Sequence, residues 1–394
     1  MRNLATDEFI RQHADEDVRQ LALRGAKDPE VDLSYALDQI AGRQKARTKL
    51  PSWASLEGIV YPPHLSMEQC SSESTALYKT RLVQGIVKHR NLFVDLTGGF
   101  GVDFATIARG FQQAVYVERQ ESLCSISSHN MRVLGLTQAE VVCGDGTDYL
   151  TRISHADLIM IDPARRDDHG GRTFAIADCT PNLLEIREAL LEKATYVLVK
   201  LSPMLDWRKA VEDIGRQWVR EVHIVSVGNE CKELLLVLST ATSQLRVVCV
   251  NDGDEFSFVE EDSPKGSSCG KAVDVKFLYE PNASIMKAGC FRRIAEHFHL
   301  VQLDVNSHLF LSDTLMEHFP GRVFEVTATT GMNKRELKKK LQGVSRANIT
   351  VRNFPQTVAE LRKRLKVADG GDCFLFASTT AEKAHIIFIC RKIY

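Results

Sequence analysis

Phe93-Val94-Asp95-Leu96-Thr97-Gly98-Gly99-Phe100-Gly101 is an apolar stretch that ends in a carboxylate and runs into a glycine turn before a helical pattern. At the carboxyl end of a first strand, glycines allow the tight turn and the close approach of a ligand to the backbone. The same texture repeats downstream. Apolar runs at 114–117, 141–143, 158–161, 196–201 and 222–227 are separated mostly by helix-length segments, which predicts a parallel sheet. The run at 234–238 follows after only a few turn residues, too few for a crossover helix, so that last pair is expected to be antiparallel. The reading is an α/β fold built on a seven-stranded, doubly wound, Rossmann-like sheet over residues 91–243.

Working outward, residues 1–90 show helical spacing with a break at Pro62-Pro63. A β-rich connector is expected over 244–275. Residues 276–320 read as strand, helix (288–297), strand and helix. The tail, 321–394, reads as strand, helix (334–341), strand, helix (358–365) and two more strands. With 44% hydrophobic and 26% charged residues in 394, the composition excludes a disordered, collagen-like or disulfide-scaffold chain. No apolar run is long enough to span a bilayer and the first residues lack a signal peptide's apolar core, so no membrane contact and a cytoplasmic address are expected. Ten cysteines without a Cys-x-x-Cys pair fit reduced thiols and no metal site. The net charge of -1 hides a polarity: residues 322–394 hold 15 Lys and Arg against 6 Asp and Glu, leaving +9 there and -10 on the rest.

Two ligands suit the glycine loop, a dinucleotide and S-adenosylmethionine. The dinucleotide pattern needs a third glycine where this chain has Phe104. A carboxylate at the head of the loop, Asp95, suits a cationic α-amino group better than a pyrophosphate. Thr97, Gly98, Gly99 and Gly101 complete the loop. The next strand ends in Glu118, placed to accept from ribose hydroxyls, and the third in Cys143-Gly144-Asp145-Gly146, where Asp145 can accept from an adenine amino group beside the Gly146 backbone. Three acids at three successive strand ends line the crevice of an open α/β sheet. The fourth strand ends in Asp162-Pro163-Ala164-Arg165.

These four motifs resemble, in order, those of class I S-adenosylmethionine-dependent methyltransferases, and the last is similar to the Asp-Pro-Pro signature of nucleic-acid-modifying members. The blocks Gln69-Cys70-Ser71-Ser72-Glu73, Val227-Gly228-Asn229-Glu230-Cys231-Lys232-Glu233 and Phe319-Pro320-Gly321-Arg322-Val323-Phe324-Glu325-Val326 are similar to a bacterial family. Its members join this catalytic domain to a ferredoxin-like unit and a C-terminal THUMP-like domain. That resemblance implies S-adenosylmethionine as cofactor and a structured RNA (tRNA or rRNA) as substrate, with 276–320 as the ferredoxin-like unit and 321–394 as the THUMP-like, RNA-binding domain.

The basic tail points to RNA independently. Leu337 and Leu341 are expected to face a core, with Lys334, Arg335, Lys338 and Lys339 around them; Val358, Leu361 and Leu365 repeat this with Arg362, Lys363 and Arg364. Asp162 is the leading catalytic candidate, with Arg165 beside it. Ala164-Arg165 replaces the aromatic that stacks on an extruded base in amino-methylating enzymes. Cys179 and Cys231 are the candidates for a carbon-methylating nucleophile. The order of Lys79, Asp162, Lys200 and Glu233 resembles the Lys-Asp-Lys-Glu set of ribose 2'-O-methyltransferases, in which a lysine of lowered pKa takes the hydroxyl proton. Rival readings are methylation of a small metabolite and a non-catalytic RNA-binding protein that keeps the fold.

Overall fold

The computed structural model describes residues 3–165, 176–260 and 275–394. Two compact units emerge, Met1–His223 with Lys232–Arg246, and Ile224–Cys231 with Val247–Tyr394. The first begins with helices Leu4–Gln12, Val18–Arg24, Leu33–Lys49, Pro51–Ala54, His64–Gln69 and Glu73–Ile86. Short polar side chains start several of them: Asn3, Asp17, Asp32 and Ser72 each accept a hydrogen bond from a first-turn N–H.

The strands that follow are β1 (Leu92–Asp95), β2 (Gln113–Glu118), β3 (Ala139–Cys143), β4 (Ala156–Ile161), β5 (Ala194–Leu201), β6 (Val219–Val227) and β7 (Glu230–Leu238). β1 pairs in parallel with β2 and β4, β2 with β3, and β4 with β5, while β7 runs antiparallel to β5. Crossover helices cover a sheet whose central strands are almost wholly apolar and buried, as a two-sided parallel sheet requires. The hairpin β8 (Arg246–Asn251) and β9 (Asp254–Val259) adds two strands to the expected seven, giving the order β9-β8-β6-β7-β5-β4-β1-β2-β3. The turn between β6 and β7 uses two left-handed residues, Gly228 and Asn229, the geometry of a tight hairpin. Two short strands, Ala164–Arg165 and Cys179–Thr180, pair separately.

In the second unit, β10 (Phe277–Pro281), β11 (Val301–Gln302), β12 (Phe310–Ser312), β13 (Gly321–Thr330), β14 (Asn348–Arg352), β15 (Cys373–Thr379) and β16 (His385–Lys392) form one sheet in the order β11-β12-β10-β13-β16-β15-β14. The helix expected over 288–297 is two helices, Ala283–Ala288 and Phe291–His297, because Gly289 takes the left-handed conformation and ends the first. The second helix expected within 276–320 does not form among the described residues: after Phe291–His297 come the strands β11 and β12 and then β13. Side chains alternate along β15 and β16: Phe376, Phe388 and Cys390 enter one core, Leu375, Ala377, Ile387 and Ile389 the other. Leu337 and Leu361 join the second core, which puts helices Lys334–Lys340 and Val358–Leu365 on the same face of the sheet. Val358, expected inward, is 38% exposed, since it opens its helix directly after the Thr357 cap.

Candidate active site

The carboxyl ends of β1, β2, β4 and β5 open on a cleft of about 630 Å³, within the range that holds a nucleoside-sized ligand. Asp95, Thr97, Gly98, Gly99, Gly101, Glu118, Asp145, Gly146, Asp162, Lys200 and Glu233 all line it. Close packing shapes the loop. A Cβ on Gly98 would sit 2.1 Å from the Tyr116 ring, and one on Gly146 would sit 2.1 Å from the Leu96 carbonyl oxygen. Tyr116 also donates its hydroxyl to the Gly99 carbonyl and accepts from Ser127. Phe104, in place of a packing glycine, stacks on Phe93 at 5.5 Å beneath the loop.

Glu118 is buried and fixes two turns, accepting from Gly99 N at Oε2 and from Gln120 N at Oε1, both at 2.9 Å. Each oxygen keeps a second lone pair for a ligand hydroxyl. Asp145 caps helix Gly146–Leu150; its hydrogen bonds among the described residues all go to Oδ1, and the Thr147 hydroxyl holds its carboxyl below the usual range. Asp95 is 3% exposed and accepts from Thr97 N at 3.0 Å. Burial pushes it up to about 7 against that N–H, with Asp103 and Asp162 adding to the rise and Lys200 opposing it. Thr97 ties β1 to β4, its hydroxyl oxygen accepting from Asp162 N at 2.6 Å.

The four residues grouped by sequence divide into two arrangements. Lys200 donates to Asp162, whose side chain is 40% exposed against 13% for the lysine. Burial alone would lower the Lys200 pKa, but Asp162, Asp103 and Glu233 outweigh it and raise it above the ordinary value. Lys200 is therefore an ammonium near neutrality, contrary to the lowered pKa expected of a lysine base. Lys79 is fully buried and is not among the residues lining the cleft. It donates to Glu233 Oε1 and Oε2 at 2.6 and 2.7 Å and to Ser71 at 3.2 Å. Asp103 Oδ1 lies 3.1 Å from the Lys79 ammonium but makes no hydrogen bond, so charge alone joins them. Ser71 donates to Asp103 Oδ2 at 2.7 Å. Asp103, which the sequence reading passed over, thus belongs to the site, as does Ser71, which lies in the block Gln69 to Lys79, read from sequence either as a source of contacts to the donor's methionine carboxylate or as a capped helix. The signal of Asp103 was faint, an acid two residues after the last loop glycine.

Cys179 lines the cleft but is 3% exposed, and Cys231 falls in the second unit. The Arg165 side chain lies outside the described residues; its backbone pairs with Cys179. In the tail, Lys334, Arg335, Lys338, Lys339, Lys363 and Arg364 are exposed. Arg362 is engaged by Asp369 and the Ala347 carbonyl. No group of metal-binding side chains occurs among the described residues, and no described helix is long and apolar enough to cross a membrane.

A nucleoside-sized cleft at the carboxyl ends of parallel strands, closed by an antiparallel β7, has the form of a class I methyltransferase. Comparison with known proteins agrees. A crystal structure from Porphyromonas gingivalis W83, assigned as a methyltransferase, superposes with a TM-score of 0.85 at 32% identity, covering 99% of this chain and 98% of that one. An uncharacterized S-adenosylmethionine-dependent methyltransferase of Mycobacterium tuberculosis is 25% identical over 308 residues, 77% of this chain and 80% of the relative. Residues 277–320 match a ferredoxin-like domain family and 321–392 a THUMP domain-like family. The chain belongs to the family of the Porphyromonas gingivalis protein, that of the S-adenosylmethionine-dependent methyltransferases, with ferredoxin-like and THUMP-like domains at its C-terminal end.

Proposed function

We propose that this enzyme methylates structured RNA, tRNA or rRNA, with the tail from 321 presenting the substrate. The observation that carries this reading is the pairing of a methyltransferase cleft with two helices on one sheet face whose exposed positions are mostly Lys and Arg. Such a surface suits a phosphate backbone. S-adenosylmethionine is the methyl donor and, when bound, supplies a methyl group on a sulfonium. The cleft fits it: Asp95 and Asp103 are acids suited to a cation, Glu118 keeps lone pairs for ribose hydroxyls, and Asp145 Oδ2 remains for an adenine amino group.

Asp162 is the proton acceptor in this reading. It is the more exposed member of its ion pair, and the Lys200 ammonium and the Thr97 hydroxyl hold it in place. The nucleophile on the RNA base or ribose would give up its proton to the Asp162 carboxylate as its new bond to the methyl carbon forms and the carbon–sulfur bond breaks, the electron pair staying on sulfur as a neutral thioether. Lys79 acts from behind the wall, keeping Glu233 oriented. Transfer of label from methyl-tritiated S-adenosylmethionine to bulk RNA tests the reading; label appearing only in small metabolites would replace RNA as the substrate.

The position of Asp95 predicts a pH dependence. A cationic ligand favours the ionised carboxylate, so binding below pH 7 must expel a proton, and affinity rises with pH and levels off above it. Donor affinity at pH 6 is expected to be about tenfold weaker than at pH 8. Calorimetry at both values checks this, and Asp95→Asn should abolish the difference.

A further inference from the structure

The unit of Ile224–Cys231 and Val247–Tyr394 holds a second charged centre that methyl transfer does not use. Glu280, on β10, is 4% exposed. A carboxylate taken out of water needs close pairing, and one guanidinium would neutralise it. Two are present. Arg322, on β13, donates Nε at 2.8 Å and also Nη2 to Glu280 Oε2, and Arg352, at the end of β14, donates Nη2 to Oε1 at 3.0 Å. The second arginine leaves one positive charge uncompensated within the triad.

The guanidinium groups are not sealed. The Arg322 and Arg352 side chains are 41% and 35% exposed, and neither Nη1 has a hydrogen bond among the described residues. Beside the triad, His308 and Asn353 take left-handed backbone angles, φ 52 and 50, which His and Asn adopt more readily than most side chains. Asn353 donates to the buried Asp304 at 3.0 Å, and the His308 ring stacks on Phe291 at 4.0 Å. His308 Nδ1 and Arg352 Nε are buried without hydrogen-bond partners, an unusual omission in a region otherwise dense in polar contacts.

We propose that Arg322 and Arg352 form a fork for a backbone phosphate of the RNA substrate, oriented by Glu280; this rests on the RNA reading above. A fixed pair of guanidinium groups suits the oxygens of a phosphate, and anchoring by a buried acid reduces the side-chain freedom lost on binding. Arg322 lies in the Phe319 to Val326 block, whose chemistry the catalytic cleft leaves unexplained.

The test is binding of a labelled hairpin RNA to the full chain across a salt series. Arg352→Gln is expected to reduce the slope of log affinity against log salt by about 0.7–0.9, the loss of one phosphate contact. Because that variant leaves one arginine facing Glu280, a second, Glu280→Gln with Arg352→Gln, keeps the net charge of the triad and removes the buried carboxylate. It is expected to show the same reduction. Slopes equal to wild type in both variants, on an RNA that the wild type binds, would overturn the fork and leave the RNA reading standing. Failure of the wild type to bind RNA would overturn both. Inorganic phosphate binding that Arg352→Gln abolishes, with the RNA slope unchanged, would make this a small-anion site and overturn the RNA assignment of the fork.

Discussion

Asp162→Asn will lower methyl transfer to RNA by about 10²–10⁴-fold, the range expected when a positioned proton acceptor is lost, while donor affinity changes little. The two effects separate because Asp162 sits at the exposed edge of its ion pair, whereas the loop that would hold the donor is built from β1 and β2. The asparagine keeps the size of the side chain and can still accept from Lys200, so the cleft should keep its shape. Single-turnover rates set against donor binding by calorimetry measure both. A rate within tenfold of wild type would remove Asp162 as the acceptor. Lys200→Met should also slow transfer, through loss of the ammonium that holds Asp162.

Lys79→Met is expected to be the most destabilising single change at the site, costing about 3–5 kcal/mol, the usual result of removing one partner of a buried ion pair. The lysine is fully enclosed, and its loss would take from Glu233 and Asp103 the cation that touches both, leaving only the Lys200 ammonium to oppose their mutual repulsion. Burial already raises Glu233 above the ordinary carboxylate value, with Lys79 first among the groups opposing that rise. Denaturant unfolding measures the loss. Lys79→Met with Glu233→Gln should recover a large part of it, because the double change removes the stranded charge. A single variant as stable as wild type would mean that the clamp contributes nothing to the fold.

Local pattern made the sheet and much of the cleft legible. β1, its glycine loop and the strand-end acids Asp95, Glu118 and Asp145 each declare themselves within a few residues, because a buried parallel strand is an unbroken apolar run and its polar end marks the crevice. Contacts between distant segments were less legible. Lys79 reaches Glu233 across 154 residues, and nothing in the neighbourhood of either says that the lysine is walled off from the cleft. The Lys200 pKa depends on three acids from separate elements, so the direction of its shift could not be read from a strand end. The helix pattern of the tail identified Leu337 and Leu361, but the same period put Val358 inward at a helix start where no core reaches it. Glu280 and Arg352, 72 residues apart, carry no sequence signal of their pairing.

The central proposal is that the cleft delivers methyl groups to RNA. Nucleosides from total tRNA and rRNA, compared by mass spectrometry between cells with and without the gene, test this directly. The prediction is that one methylated nucleoside falls or disappears without the gene and returns with the wild-type protein but not with Asp162→Asn. Identical nucleoside profiles in the two strains, under conditions where the protein is made and binds its donor, would contradict it.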